Sequence, residues 1–393
     1  MNESIWMLPE GIDELLPSQA WALESLRRRI LSHYYQCGYD LVHPPQIEYI
    51  ESLLVGTGRE FDLQTFKLVD QLTGRTLGVR ADMTPQVARI DAHRLAVDHP
   101  VRLCYLGTVL RSRPDGMGSS RSPLQLGAEL YGHVGVESDA EILGLMLETL
   151  ALAGLENIYL DLGHIGLFRA LAEDAKLTSG QSQQLFEMLQ RKSNADTAQF
   201  LSAIPCNEQH RARLLALVEL NGGVEVLDKA RQTYAGCGDN VNAVLDYLDT
   251  LAQLIGARFP ETALHFDLAE LRGYDYHTGV VFAAYQYGQG QEIARGGRYD
   301  DIGKAFGRAR PATGFSTDLR ALISRVPAEH ANDGNAVYAG TPEDDGCWDM
   351  IQSLRAQGRR VVCALPGQTG GASELSCSEQ LVFEDGCWQV KSL

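Results

Sequence analysis

The sequence predicts an α+β protein built on an antiparallel sheet flanked by helices, with a small C-terminal domain. Three observations lead there. Short runs rich in Val, Leu, Tyr and Thr are joined by tight connections, as antiparallel strands require. Helical periodicity is grouped between those runs. The length of 393 residues fits two or three domains, and the polar stretch 327–335, with Pro and Gly, divides a domain of 1–326 from a tail of 336–393.

The elements follow in order. Trp21, Leu23, Leu26, Ile30 and Tyr34 recur at three- or four-residue spacing, which predicts an amphipathic helix capped near Ser18 and stopped at Gly38. Tyr39 to Pro45 is extended and ends in two prolines that cannot continue a helix. Phe66–Asp70 and Thr76–Arg80 flank Leu72-Thr73-Gly74-Arg75 as a hairpin. A helix runs from Thr84 to about Leu95, with Thr84 as cap and Pro85 in the first turn. Val101–Val109 and Pro123–Tyr131 are strands, Asp139–Leu152 a helix and Ile158–Leu162 a strand. The stretch 167–256 is mostly helical. Ala263–Leu268 and Gly279–Tyr285 return to β character, Gly296-Gly297 reads as a turn, and a helix is expected from about Gly314 to Arg325. In the tail, Ala336–Ala339 and Arg360–Ala364 read as strands around a helix at Trp348–Gln357.

Composition narrows the function classes. Charged residues number 51 acidic against 34 basic, a net charge of −17, which disfavours a dedicated nucleic-acid binder. The eight cysteines form no Cys-x-x-Cys pair, so reduced cytosolic thiols are expected, with no disulfide framework, no zinc site and no metal. Residues 1–11 lack the basic and apolar regions of a signal peptide. The most apolar window, Ile142–Leu155, is interrupted by Glu148 and Thr149 and is too short to span a bilayer. A cytoplasmic location is expected.

Four stretches concentrate charged and hydroxyl side chains among glycines: Arg80–Gln86, Arg111–Arg113 with Gln125–Glu129, Arg272–His277, and Gly296–Asp300. Each alone has a plain structural reading, such as a surface ion pair for Arg80 and Asp82 or a solvent-facing strand for Gln125 and Glu129. Together they suit a small zwitterion. Its ammonium wants a carboxylate and a hydroxyl or amide, its carboxylate an arginine fork, and its side chain a shaped polar partner.

The order of these segments resembles the class II aminoacyl-tRNA synthetases, specifically the histidyl branch, from Gly11 to about Leu322. Gly11–Pro17 is similar to the branch's N-terminal signature, and Pro45 to the proline of motif 1, which forms the family's dimer interface. Gln125–Glu129 resembles the second half of motif 2, and Leu271-Arg272-Gly273-Tyr274-Asp275-Tyr276 the segment peculiar to histidyl enzymes. Gly296–Asp300 and Pro311–Phe315 resemble the approach to motif 3. The resemblance implies that Asp82, Thr84 and Gln125 meet a histidine ammonium, and that Arg111 and Arg272 meet its carboxylate and the reacting phosphate. It places Glu129 at the imidazole, with Tyr276 lining the pocket and His277 replacing a second pocket tyrosine.

Adenylation needs cations around the triphosphate. Here Asp318 and Ala321 stand where the family places a motif 3 glycine and arginine, and Arg113 stands in place of the motif 2 glutamate. Arg320 is one residue off, roughly 100° around a helix. The tail after Asn335 is shorter than the family's anticodon-binding domain and carries more acids than bases, unsuited to tRNA. These departures resemble a non-catalytic branch of the same fold, the regulatory subunits of short-form ATP phosphoribosyltransferase, in which the tail is a truncated α/β remnant. That resemblance implies a homodimer within a hetero-oligomer, the short-form catalytic subunit as partner, histidine as feedback effector, no tRNA, no membrane and no cofactor. The competing readings are a working histidyl-tRNA synthetase or other amino-acid-activating enzyme, and a synthetase-like sensor with another partner.

Overall fold

The even spacing of Gln125 and Glu129 is realised in a strand of the computed structural model, which describes residues 6–55, 59–114, 116, 119–270, 276–325, 336–341 and 345–393. The chain divides into two compact units, Met1–Glu14 with Leu23–Val326 and Leu15–Ala22 with Pro327–Leu393. The linker expected over 327–335 lies outside the described residues.

The strands of the first unit, in chain order, are β1 (Asp40–Leu41), β2 (Ile47–Tyr49), β3 (Phe66–Val69), β4 (Thr76–Val79), β5 (Val101–Thr108), β6 (Leu124–Tyr131), β7 (Ile158–His164), β8 (Asn221–Gly222), β9 (Ala263–Asp267), β10 (Val280–Gln286), β11 (Glu292–Arg298) and β12 (Ala312–Asp318). Nine of them make one sheet in the order β1-β5-β6-β12-β11-β10-β7-β9-β8. Its ladders are antiparallel except β1 with β5 and β7 with β9. The hairpin expected at 66–80 is present, and β2 joins it to form the small sheet β2-β4-β3.

Alternation along β6 separates two cores. Leu126, Ala128 and Leu130 face the larger one, where the helices Val136–Leu152 and Asp239–Arg258 pack with Ile142, Leu143, Met146, Leu248 and Ile255 fully buried. The helix Val136–Leu152 is apolar nearly all round, which is why it sits inside the molecule rather than on its surface. The opposite face of β5 and β6 carries Leu103, Tyr105 and Tyr131, packed with Met83, Val87 and Tyr299 in a smaller core. Gln125 and Glu129 share this second face.

One buried ion pair ties the sheet to the helix beneath it. Arg298 at the end of β11 donates to Asp139 at 3.0 Å, to Ser138 Oγ at 2.7 Å, and to the carbonyls of His133 and Gly135 at 3.1 and 3.2 Å. The two side chains are 6% and 0% exposed. Burial pushes the Asp139 carboxyl up to about 6, against the pull of Arg298.

Three expectations are corrected. Gly296 and Gly297 do not turn the chain; they lie inside β11, paired with both β10 and β12. A Cβ at Gly296 would strike the Phe282 ring and the Gly314 carbonyl, and one at Gly297 would strike the His277 ring, so glycine serves close approach here. The helix expected from Gly314 begins only at Leu319, because Ala312–Asp318 completes the sheet as β12. Asp318 then caps the short helix Leu319–Ser324 by accepting from Arg320 N at 3.0 Å. Thr84 is the first helical residue and not the cap; Asp82 accepts from Thr84 N at 2.8 Å, and the helix Thr84–Ile90 continues as a wider turn over Asp91–Leu95.

The second unit holds β13 (Val337–Tyr338), β14 (Val361–Val362), β15 (Glu379–Glu384) and β16 (Cys387–Ser392) in the order β14-β13-β15-β16, with a helix at Asp345–Ala356. The hairpin β15–β16 was not among the sequence expectations. Its signal is Asp385-Gly386, both at positive φ of 50° and 80°, a two-residue turn between alternating strands.

Replacing Asp139 with alanine removes the buried partner of Arg298 and leaves it only Asp300, at 3.3 Å, as a carboxylate. Urea denaturation of Asp139→Ala is expected to show a loss of about 3 kcal/mol relative to the parent chain.

Candidate functional site

The second face of β6 begins with a polar row laid across the sheet. Glu129 is paired with Leu103 on one side and Gly314 on the other; Gly314 pairs with Gly297, and Gly297 with Val281, which pairs with Gly163. Cross-strand partners share a face, so three glycines lie in the row beside one carboxyl group. A Cβ on Gly314 would overlap both Glu129 Oε2 and the Tyr299 hydroxyl, which therefore crowd the same point above the sheet. Gly127 leaves the matching space for the Tyr105 hydroxyl.

Side chains from four segments converge on this floor. Gln125 donates from Nε2 to Asp82 Oδ1 at 2.9 Å and accepts from Met83 N at 2.9 Å, fixing its amide orientation. Thr84 Oγ1 lies 3.0 Å from the Tyr105 hydroxyl, which donates to Glu129 Oε1 at 3.0 Å. Asp82, Thr84, Gln125 and Glu129 thus form one connected network with Tyr105 at its centre. Tyr276 and Tyr299 pack with ring centroids 5.0 Å apart and planes tilted by 34°, and His277 meets Tyr276 edge-on at 5.4 Å. The His277 ring rests on Gly297, the third residue of the glycine row's ladder.

Electrostatics single out Glu129. It is 1% exposed, and Oε2 finds no protein partner among the described residues. Burial raises its pKa well above the usual carboxylate range; the Tyr105 hydrogen bond opposes this, and the Asp82 charge adds to it. Burial likewise raises the phenols of Tyr276 and Tyr131, with the Glu129 charge next in weight. The hydroxyls of Tyr131, Tyr276 and Tyr299 are also buried without a protein partner among the described residues. Unsatisfied buried polar atoms cost roughly 1–3 kcal/mol each. Their clustering marks a surface built to be completed by a polar molecule with hydrogen-bonding groups on several sides.

The sequence-selected residues divide as follows. Asp82, Thr84, Gln125, Glu129, Tyr276 and His277 come together on the glycine floor. Arg111 flanks them, its Nε 3.4 Å from the Ala81 carbonyl beside Asp82. Arg272 lies outside the described residues. Tyr105, Tyr131 and Tyr299 were missed. Tyr131 follows Glu129 at the even spacing that had already placed Gln125, and Tyr299 follows the Gly296-Gly297-Arg298 run, so both were within reach of the two-residue rule.

At the outer end, Asp318 and Arg320 are committed to the fold. Asp318 holds two backbone amides, Leu124 N at 2.9 Å and Arg320 N at 3.0 Å. Arg320 donates to the Asp13 carbonyl at 2.7 Å and to the Ser122 carbonyl and hydroxyl at 3.3 Å. Arg113 is exposed.

The state of Glu129 sets a stability signature. Because its folded pKa is raised, its contribution is fully present below the unfolded value near 4.5 and is lost as pH rises through the folded value. Glu129→Gln copies the neutral carboxyl and removes that loss. Thermal unfolding from pH 5 to pH 9 should show the variant equal to or above the parent at the alkaline end. Gly314→Ala should instead lower Tm at every pH, since the added methyl displaces Glu129 and Tyr299 together.

Comparison with known proteins follows the same lines. A family model for histidyl-tRNA synthetase matches residues 11–322, and one for the ATP phosphoribosyltransferase subunit HisZ C-terminal domain matches residues 334–391. The chain is 55% identical over 389 residues to the ATP phosphoribosyltransferase regulatory subunit of Thioalkalivibrio sulfidiphilus, covering 99% of this chain and 98% of that one. It is 52% identical over 386 residues to the subunit of the same name from Alkalilimnicola ehrlichii, with 98% and 96% covered. Among solved structures, an ATP phosphoribosyltransferase regulatory subunit/histidyl-tRNA synthetase from Bacillus halodurans superposes with a TM-score of 0.82 at 27% identity over 95% of this chain and 96% of that one. Histidyl-tRNA synthetase from Nostoc shares the fold, with a TM-score of 0.78 at 20% identity over 96% of this chain and 91% of that one. The class II synthetase-like fold, the degenerate nucleotide end and the matched tail converge: the chain belongs to the family of ATP phosphoribosyltransferase regulatory subunits.

Proposed function

We propose that the chain is the non-catalytic regulatory subunit of a short-form ATP phosphoribosyltransferase, required for activity and for histidine feedback in the first step of L-histidine biosynthesis. The observation that carries the histidine assignment is Glu129, a buried carboxyl on a floor of glycines with one oxygen unpartnered among the described residues. An imidazole offers it both a donor nitrogen and, when protonated, a charge that a carboxylate can balance. Asp82, Thr84 and Gln125 suit the ammonium, Arg111 and Arg272 the carboxylate, and Tyr276 and His277 the walls of the pocket.

Catalysis by this chain is disfavoured on its own geometry. Asp318 would repel a γ-phosphate, and Arg320 is committed to loop carbonyls. No described helix is long and apolar enough to cross a membrane. Histidine would act by binding two quaternary arrangements unequally, and its effect is bounded by that difference, typically ~1–3 kcal/mol. A homodimer within the hetero-oligomer follows from the motif 1 resemblance.

Mixing the chain with a short-form catalytic subunit should raise phosphoribosyl transfer to ATP, and histidine should suppress it. Glu129→Ala should keep the activation and raise the inhibitory histidine concentration at least tenfold. An unchanged inhibitory concentration refutes the pocket assignment, and histidine-dependent exchange of pyrophosphate into ATP by the chain alone refutes the non-catalytic role.

A further inference from the structure

Against the expectation of no metal drawn from cysteine spacing, we propose that His33, Cys37 and Glu148 form a binding site for a divalent transition-metal ion of the zinc class, remote from the Glu129 pocket. His33 and Cys37 are four residues apart, and the backbone bond from Cys37 N to the His33 carbonyl at 2.9 Å carries the helical turn to Cys37, so both side chains share one face. Glu148 comes from the helix Val136–Leu152, more than a hundred residues later. His33 Nε2 stands 2.8 Å from Glu148 Oε2 and 3.7 Å from Cys37 Sγ, and the three donor atoms lie within 4.8 Å of one another.

Bonds of about 2.0–2.1 Å to nitrogen and oxygen and about 2.3 Å to sulfur put tetrahedral donors roughly 3.3–3.6 Å apart. The His33–Cys37 separation is close to that, and Glu148, hydrogen-bonded to His33 and 42% exposed, moves off the imidazole to open its edge. The donor set of imidazole, thiolate and carboxylate suits zinc-class ions and not magnesium or calcium.

A divalent ion between thiolate and carboxylate would balance their two charges. The site also sits at the C-terminal end of the helix Pro17–Gln36, where the unpaired carbonyls carry partial negative charge. A recess of about 350 Å³, lined by Cys37, Arg102, Glu141, Glu148 and Arg258, adjoins two of the three donors and leaves room for a fourth ligand. The other cluster of comparable spacing, Asp161, Asp267 and Glu270, differs in that Lys192 Nζ already lies 2.5 Å from Asp267.

The test uses the full chain, stripped with chelator and titrated with Co²⁺ and then Zn²⁺. One equivalent of cobalt per chain, a sulfur-to-cobalt charge-transfer band in the near ultraviolet, and displacement by zinc are expected. Cys37→Ser should abolish the band, and His33→Gln and Glu148→Gln should each weaken zinc binding at least ~100-fold, beyond what outer-shell changes cost. Cys387→Ser, at another exposed cysteine, should change nothing. Failure of the parent chain to take up stoichiometric metal overturns the proposal without any variant, and so does a band that survives Cys37→Ser in a protein of native circular dichroism.

Discussion

The two-residue period of β6 is the constraint on which the rest of the structure hangs. Leu126, Ala128 and Leu130 commit one face to the main core, and this commits Gln125, Gly127, Glu129 and Tyr131 to the other. A slip of one residue would bury three polar side chains against Met146 and its neighbours and expose the leucines. The core therefore fixes where the site can be. Arg298 and Asp139 serve the same end from beneath, holding β11 and its glycines against the helix that floors the larger core.

Glu129 carries the energetic burden of the site. Burial raises the pKa of this almost unexposed carboxyl, and the oxygen that finds no protein partner among the described residues is a standing cost. A fold selected for stability alone would place an apolar residue there. Keeping the carboxyl, and keeping glycine across from it at 314 so that it fits, makes sense where a ligand regularly completes it. Binding energy is then spent on a group that the empty pocket leaves unsatisfied, which is how a small molecule gains leverage over a large assembly.

The nucleotide end shows the same economy in reverse. Asp318 caps a helix and Arg320 anchors the chain near Asp13, so residues that look like damaged catalytic groups in the sequence are working structural groups in the fold. Two misread segments have one cause. Gly296-Gly297 and Gly314 carry the local signature of turns and helix starts, yet they are strand residues whose missing side chains make room for Phe282, His277 and Glu129. Close approach between distant segments leaves no periodic trace in either one.

The sequence by itself determined the order of elements, the alternation of β6, the hairpin at 66–80, and the residue types Asp82, Thr84, Gln125 and Glu129 that a zwitterion needs. These are legible because periodicity, turn chemistry and charge are local properties of the chain. Tertiary structure alone decided that Tyr105 links Thr84 to Glu129, that Tyr299 shares the space above Gly314, and that Glu148 reaches His33 and Cys37. Each of those contacts joins residues far apart in the chain, where sheet register and helix packing, rather than sequence spacing, set the distance.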